Sequence, residues 1–346
     1  MLTRPAGIVV LAIALAGCGG SSKPSSTSTG AAGPATSLVG AGSTFVYPLV
    51  SSWTGDYATR AGVTITYGAV GSGAGIAEIT NRSVDFGASD APLAPDQVAA
   101  CKACVQIPWA LGGTAVTYNV QGTPAHLKLS GAVIAGMFMG TITRWDDPAI
   151  AALNPGVQLP ATRVTPVFRA DASGTTYNFT DYLSKVSAAW KSKVGVSTQP
   201  QFPAGQGAKG SSGVAGVVSH ADGAIGYVDV AYAQASHFAY AAVENSAGAF
   251  VLPTVRSITA AATAAQSPTP NAAISIVQPP ATAASAYPIS TFTYVIVPSK
   301  TPKAQALKAF LTYAVTTGQA FGPKLLFAPL PSNVVASDRR AIAAIS

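Results

Sequence analysis

Residues 168–176 read Phe168-Arg169-Ala170-Asp171-Ala172-Ser173-Gly174-Thr175-Thr176, and the fold is decided by how this stretch is read. Residues 163–170 have the pattern of a strand. The residues that follow have the pattern of a helix, with Phe179, Tyr182, Leu183 and Val186 on one face at helical spacing. Ser173 stands where an N-cap belongs, and Gly174 and Thr175 open the first turn. A first helical turn carries N–H groups without intrahelical partners, together with the positive end of the helix dipole. The hydroxyls of Ser173, Thr175 and Thr176 add donors, and Arg169 adds a guanidinium fork able to grip an oxyanion bidentately. Together these groups suit a small tetrahedral anion. The same residues also fit a capped helix after a polar turn, with Arg169 on the surface.

Three further strand-to-loop crossings lie upstream. Leu38 to Gly42 reads as a short strand, followed by Ser43-Thr44-Phe45 and then Val46, Leu49, Val50, Trp53 and Tyr57 on one helical face. Pro48 is tolerable in that helix's first turn. Thr64 to Tyr67 alternates as a strand and ends in a glycine-rich loop through Gly71-Ser72-Gly73-Ala74-Gly75, before Ile76 and Ile79. Val84 to Ser89 is a strand that leaves through Asp90-Ala91-Pro92. Ligands of open α/β sheets bind at such strand ends. The glycine-rich loop has no Gly-Lys-Ser/Thr and does not match the dinucleotide fingerprint, so a nucleotide is rejected.

Downstream, residues 113–120 alternate as a strand, and Ser130 caps a helix with Val133, Ile134, Met137 and Phe138 on one face. Asp146 and Asp147 precede Pro148 and read as a capping turn rather than a catalytic carboxylate pair. Residues 204–213 suit a mobile polar loop, with Val214, Val217 and Val218 beginning a helical face after it. Residues 223–228 read as a buried strand, 257–286 as a short helix with an irregular return, and 288–297 as a long strand. Residues 303–317 form an amphipathic helix with Leu307, Phe310, Leu311 and Val315 at core spacing, and a last short helix follows residues 328–331. Strands alternating with helices predict an α/β fold with mainly parallel sheets flanked by helices.

Composition narrows the function. The 346 residues leave room for two domains of ordinary size, each with its own core. Charged residues make up only 10% and are scattered, and although the formal charge is +7 no Lys/Arg run marks a nucleic-acid arm. Arg4 precedes an apolar run from Ile8 to Ala16, which has the length of a signal h-region and ends in Leu15-Ala16-Gly17-Cys18. That ending resembles the bacterial lipobox, so residues 1–17 are expected as a signal peptide and Cys18 as the lipidated first residue of the mature chain. The Gly, Ser, Thr, Ala and Pro that follow make residues 18–37 a flexible tether. In an exported, oxidising compartment, Cys101 and Cys104 are expected to form a short-loop disulfide. His126, His220 and His237 lie far apart without ligand spacing, and no second Cys pair completes a zinc site, so neither a metal nor a cofactor is expected.

Several of these phrases, in this order, resemble the phosphate-binding proteins of bacterial phosphate ABC transporters, the PstS family. They are Ala41-Gly42-Ser43-Thr44-Phe45, Gly71-Ser72-Gly73, residues 84–92, Arg144-Trp145-Asp146-Asp147-Pro148-Ala149-Ile150, Asn154-Pro155-Gly156, residues 169–176 and residues 223–228. The resemblance implies a two-lobed periplasmic-binding-protein fold, type II-like, with phosphate in the interlobe cleft. Residues 38–116 plus 287–346 would form lobe I and residues 117–286 lobe II, with two crossover strands as the hinge. It carries the phosphate contacts onto Thr44, Phe45 through its backbone N–H, Ser72, Asp90, Arg169, Ser173, Gly174 and Thr175, with Ser43 in the same turn. Asp171 would orient Arg169. One departure is Ala172, where the family usually has Gly; a positive φ there would cost an alanine about 1 kcal/mol.

The expected function is therefore capture of inorganic phosphate by an extracytoplasmic, membrane-anchored monomer, and delivery to the transmembrane permease of an ABC importer. It is not enzymatic. The alternatives are a binding protein for another tetrahedral oxyanion, such as sulfate or molybdate, and a phosphatase using Ser72 or Ser173, which would need a base within hydrogen-bond reach. The lipobox reading has a direct test. A Cys18→Ser form is expected to lose membrane association in fractionation while its folded part still binds ligand, and persistent membrane attachment of that form counts against the anchor.

Overall fold

The computed structural model describes residues 37–265 and 274–346. The expected signal peptide, Cys18 and all of the tether up to residue 36 lie outside the described residues. β1 (Leu38–Gly42) passes through residues 43–46 into α1 (Tyr47–Ala61), β2 (Ile65–Gly68) into α2 (Ser72–Thr80), and β3 (Phe86–Ser89) into a loop and α3 (Pro95–Ala100). β4 (Cys104–Asn119) is sixteen residues long. After it come β5 (Lys128–Leu129), α4 (Gly131–Met139), α5 (Pro148–Leu153), β6 (Thr165–Arg169), α6 (Gly174–Val186), α7 (Ala188–Lys193), β7 (Gln206–Ala208), α8 (Gly210–His220), β8 (Ala224–Asp229) and α9 (Val230–Ala235). The chain continues through β9 (Ala239–Tyr240), β10 (Ala242–Glu244), β11 (Phe250–Val251), α10 (Val255–Ala264), β12 (Ser290–Pro298), α11 (Ala304–Val315), a 3-10 helix over Thr317–Leu325, and α12 (Ser332–Ala343).

The helix starts follow local chemistry. Ser130 Oγ accepts the Val133 N–H at 3.3 Å, Asp147 Oδ1 accepts the Ala149 N–H at 2.8 Å ahead of Pro148, and Ser173 Oγ accepts the Thr176 N–H at 3.2 Å. Asp146 is held by Arg144 and Asp147 caps α5, so the capping-turn reading of this pair describes it.

Among the described residues the main sheet has the order β2-β1-β3-β12-β4-β8-β6-β7, with β9 on β4. Each wing is parallel: β1 pairs with β2 and β3, and β6 with β7 and β8. The centre is antiparallel, because β12 runs against both β3 and β4, and β4 against β8. β4 changes partner along its length. Residues up to Gly113 lie on β12, and residues from Thr114 lie on β8. Sequence periodicity shows only the second half of this strand, because the first half carries Pro108 and the unbroken apolar run Trp109-Ala110-Leu111, which does not alternate. Pro108 is accommodated at an irregularity, where Thr293 pairs with Ala110 and the next residue, Tyr294, with Pro108, leaving Trp109 as the extra residue.

One apolar core underlies both wings. On the β1 side Trp53 meets Trp109 edge-on with ring centroids 5.2 Å apart, and on the β6 side Phe179 stacks on Tyr227 at 4.2 Å. Cys101 and Cys104 are joined as a disulfide at the start of β4, and Arg82 closes the loop between them by donating to the Cys101 and Lys102 carbonyls at 2.8 and 3.0 Å.

One buried group sits at odds with the core. Asp338 on α12 is fully buried, and neither carboxylate oxygen has a hydrogen-bond partner. Burial pushes its carboxyl up to about 8. The folded protein thus holds a proton that the unfolded chain, with an ordinary Asp near 4, has already released. Stability is greatest with this carboxyl neutral and is lost as pH rises from about 4 towards about 8. Asp338→Asn is expected to flatten that dependence and to be more stable than the parent by on the order of a few kcal/mol at a pH above 8. Denaturant melts across pH check this, and parallel pH profiles for the two proteins would refute it.

Candidate functional site

The C-terminal ends of β1, β3 and β6 and the first turn of α2 converge on Asp90. Ser43 Oγ donates to Asp90 Oδ1 at 2.5 Å, and Thr175 Oγ1 lies 3.5 Å from Oδ2. Ser72 Oγ accepts the Asp90 N–H at 3.4 Å, and Asn178 Nδ2 donates to the Asp90 carbonyl at 2.8 Å. The carboxyl is 1% exposed. Burial pushes it up to about 6, against the opposing pull of the Ser43 hydroxyl, the Arg169 charge and the Thr175 and Ser72 hydroxyls. Ser43 is fully committed: its oxygen accepts from the Phe45 and Val46 N–H groups at 3.0 and 3.4 Å, so its one proton goes to Asp90. It holds Asp90 in place and has no proton left for a ligand.

Arg169 ends β6 and is 3% exposed. Its Nε donates to Asp171 Oδ1 at 2.8 Å and its Nη2 pairs with Oδ2. Asp171 Oδ1 also accepts the Gly210 N–H from the start of α8 at 2.9 Å. Burial raises the Asp171 carboxyl, but the Arg169 hydrogen bond and charge and the Gly210 N–H outweigh this and hold it below the usual range. The Tyr227 hydroxyl on β8 accepts the Arg169 N–H at 3.1 Å and lies 2.8 Å from Thr176 Oγ1, fixing the strand end to the first turn of α6.

Two close approaches explain small residues here. A Cβ on Gly174 would stand 2.7 Å from the Asp90 and Ala91 nitrogens, so only glycine lets the start of α6 lie against that loop. A Cβ on Gly73 would stand 2.4 Å from the Ala172 methyl, and the Gly73 N–H donates to the Ala172 carbonyl at 3.0 Å. Ala172 lies outside the left-handed region, so it carries no backbone strain, and Gly73 makes room for its methyl.

Thr44 is 6% exposed and meets Ser211 of α8: the two hydroxyls are 2.9 Å apart, and the Ser211 N–H donates to Thr44 Oγ1 at 3.2 Å. All the anion-site residues expected from sequence thus fall in one buried cluster. Three members of it were not expected. Ser211 was hidden because residues 204–213 read as a mobile loop, whereas β7 and the start of α8 occupy it; the run Gly210-Ser211-Ser212 ahead of Val214 repeats the signature at 173–176 and marks that helix start. Tyr227 looks like core. Asp229 is also buried, with one oxygen capping α9 by accepting the Tyr232 N–H at 3.0 Å and the other unpartnered; burial and the nearby Asp90 push it well above the carboxylate range.

A surface cavity of about 550 Å³ lies at the opposite end of β6 among Met137, Thr143, Arg163, Thr165 and Gln206, and contains none of these residues. Among the described residues no group of His, Cys, Asp and Glu is placed to hold a metal. The Ser72 and Ser173 hydroxyls accept from backbone N–H groups, and neither is bonded to a histidine.

This architecture and this cluster of donors at strand ends define a solute-binding protein of the α/β type. The model of the PBP superfamily domain matches residues 27–317. The phosphate-binding protein PstS of Xylella fastidiosa (strain Temecula1) is 42% identical over 304 residues, covering 86% of this chain and 82% of the relative. That of Pasteurella multocida (strain Pm70) is 37% identical, covering 87% and 88%. A high affinity periplasmic phosphate-binding protein solved with phosphate bound shares the fold at a TM-score of 0.70 and 23% identity, covering 88% of this chain and 93% of that one. The chain belongs to the PBP superfamily and, within it, to the PstS phosphate-binding proteins.

Proposed function

We propose that this protein captures inorganic phosphate between its two wings and delivers it to the permease of an ABC importer. The observation that carries the reading is Asp90: a buried carboxylate at the centre of a cluster of donors, whereas Asp171 is taken up by Arg169 and the Gly210 N–H and Asp229 caps α9. An anion site with a carboxylate at its centre fits an oxyanion that keeps a proton. Phosphate at neutral pH has at least one P–OH to donate to Asp90. Thr44, Ser72, Ser173, Arg169 and the Gly174 N–H donate to its other oxygens, and the Thr175 hydroxyl and the Phe45 N–H, which face Asp90 and Ser43 here, turn to the ligand as it enters. Arg169 uses Nε and Nη2 on Asp171, which leaves Nη1 for the ligand. Ser43 and Asp171 act as orienting groups. Sulfate is fully deprotonated and brings a lone pair against the Asp90 lone pair, so the site selects against it.

The relatives' names support phosphate as ligand and transport as role. Residues 38–116 with 287–346, and residues 117–286, act as two lobes joined by β4 and the chain leading into β12; the change of partner between Gly113 and Thr114 supports a hinge there. The protein works as a monomer on the outer face of the membrane. The Cys18 lipid and the tether hold it there, and among the described residues no helix is long and apolar enough to cross the membrane.

Two experiments test this. Arg169→Ala is expected to weaken phosphate binding by at least 100-fold in isothermal titration, since hydrogen bonds to charged groups contribute about 1.5–3 kcal/mol each; unchanged affinity would refute the site. Asp90→Asn is expected to keep much of the phosphate affinity and to narrow the phosphate-to-sulfate ratio. In the parent, competition by sulfate is expected to strengthen as pH falls through about 6, where Asp90 gains a proton and becomes a donor. The Asn variant is expected to lack that dependence. A sulfate affinity that stays flat with pH in the parent, or an unchanged ratio in the variant, rejects the role given to Asp90.

A further inference from the structure

The first turn of α8 touches both halves of the anion cluster. Two consecutive backbone N–H groups leave it: Gly210 donates to Asp171, which orients Arg169, and Ser211 donates to Thr44. Ser211 adds its hydroxyl to the same Thr44 oxygen at 2.9 Å, and its residue is 1% exposed. Thr44 follows β1 and Ser211 begins α8, on opposite wings of the sheet, 167 positions apart in sequence.

A threonine hydroxyl accepts two hydrogen bonds and donates one. The Ser211 N–H occupies one lone pair of Thr44 Oγ1. When the Ser211 O–H donates as well, both lone pairs are filled and the Thr44 proton must point away from α8. When the Ser211 hydroxyl rotates to accept instead, the Thr44 proton turns onto Ser211 and a lone pair faces the site. An anion favours the first arrangement, because it needs the proton.

We propose that Ser211 is a positioning residue that closes onto Thr44 and fixes the Thr44 hydroxyl as a donor to the bound anion, so that wing closure and ligand binding are coupled through this one contact. The proposal rests on Thr44 being a phosphate contact, as given above. Ser211 need not touch phosphate; it acts through Thr44. Because the neighbouring Gly210 N–H holds Asp171, one helical turn sets the donor direction of Thr44 and the seat of Arg169 together.

A double-mutant cycle read by titration with inorganic phosphate tests this, using the parent, Ser211→Ala, Thr44→Ala and the double variant, with Arg169→Ala in parallel. Ser211→Ala is expected to weaken phosphate binding about 3- to 10-fold, as for loss of one hydrogen bond, with the loss appearing in the dissociation rate. In the Thr44→Ala background the same change is expected to cost less than about 2-fold, because coupled neighbours are not additive. Unliganded melting temperatures should agree within about 2 °C. An unaffected Ser211→Ala, an equal effect in both backgrounds, or a markedly lower unliganded melting temperature overturns the proposal. If the parent binds phosphate and Arg169→Ala abolishes it while Ser211→Ala is silent, the coupling fails and the phosphate reading stands. A parent that does not bind phosphate removes both.

Discussion

The structure is organised around the burial of one guanidinium. Arg169 sits almost fully inside the protein at the end of β6, and an unpaired charge there would cost several kcal/mol. Asp171 two residues on removes most of that penalty with a two-point pairing. Asp171 in turn takes the Gly210 N–H, so α8 must begin where it does. The strand end itself is held by Tyr227 from the neighbouring β8. A buried positive group is therefore held by Asp171 through Nε and Nη2 while Nη1 stays available. The second carboxylate, Asp90, is kept from Arg169 by its own hydroxyl partners, Ser43 and Thr175. Had the two met directly, the site would be a closed salt bridge with nothing left to offer a ligand.

Much of this was legible in the sequence. Short strands running into glycines and hydroxyls, then into apolar helical faces, announce an α/β sheet with its chemistry at the strand ends; that pattern marked the crossings and the stretch at 169–176, while the individual residues at 43–45, 72 and 90 came from the resemblance to the PstS family. The local code worked because the first turn of a helix has few chemical options: Ser173 caps α6 as its position suggests. What stayed hidden was decided by distant partners. The first half of β4 bears a proline and an unbroken apolar run, so it lacks the alternation that would mark it. Tyr227 reads as core until its hydroxyl is seen between Arg169 and Thr176. Ser211 lies in a stretch whose composition is that of a loop, and only its contact with Thr44 separates it from its neighbour Ser212. Ser43 was legible as a member of the site but not in its role, which depends on where its single proton goes.

Family membership and physical reading support one another at different points. The relatives account for the order of motifs along the chain, whereas the geometry accounts for why alanine stands at 172 without strain, its methyl filling the space Gly73 leaves empty.

The position of β12 has a consequence for how the molecule is made. This strand is among the last segments of the chain, yet it lies at the centre of the sheet, between β3 and β4. Among the described residues β3 and β4 have no ladder with each other, so until residues 290–298 arrive no strand ladder ties the first wing to the rest. The groups around residues 43–90 and those around residues 169–175 are therefore brought into register only after nearly the whole polypeptide has emerged. Such long-range pairing is slow to form. A chain threaded outward from its N-terminus would remain ligand-blind for most of its passage and would acquire its affinity late, in one step.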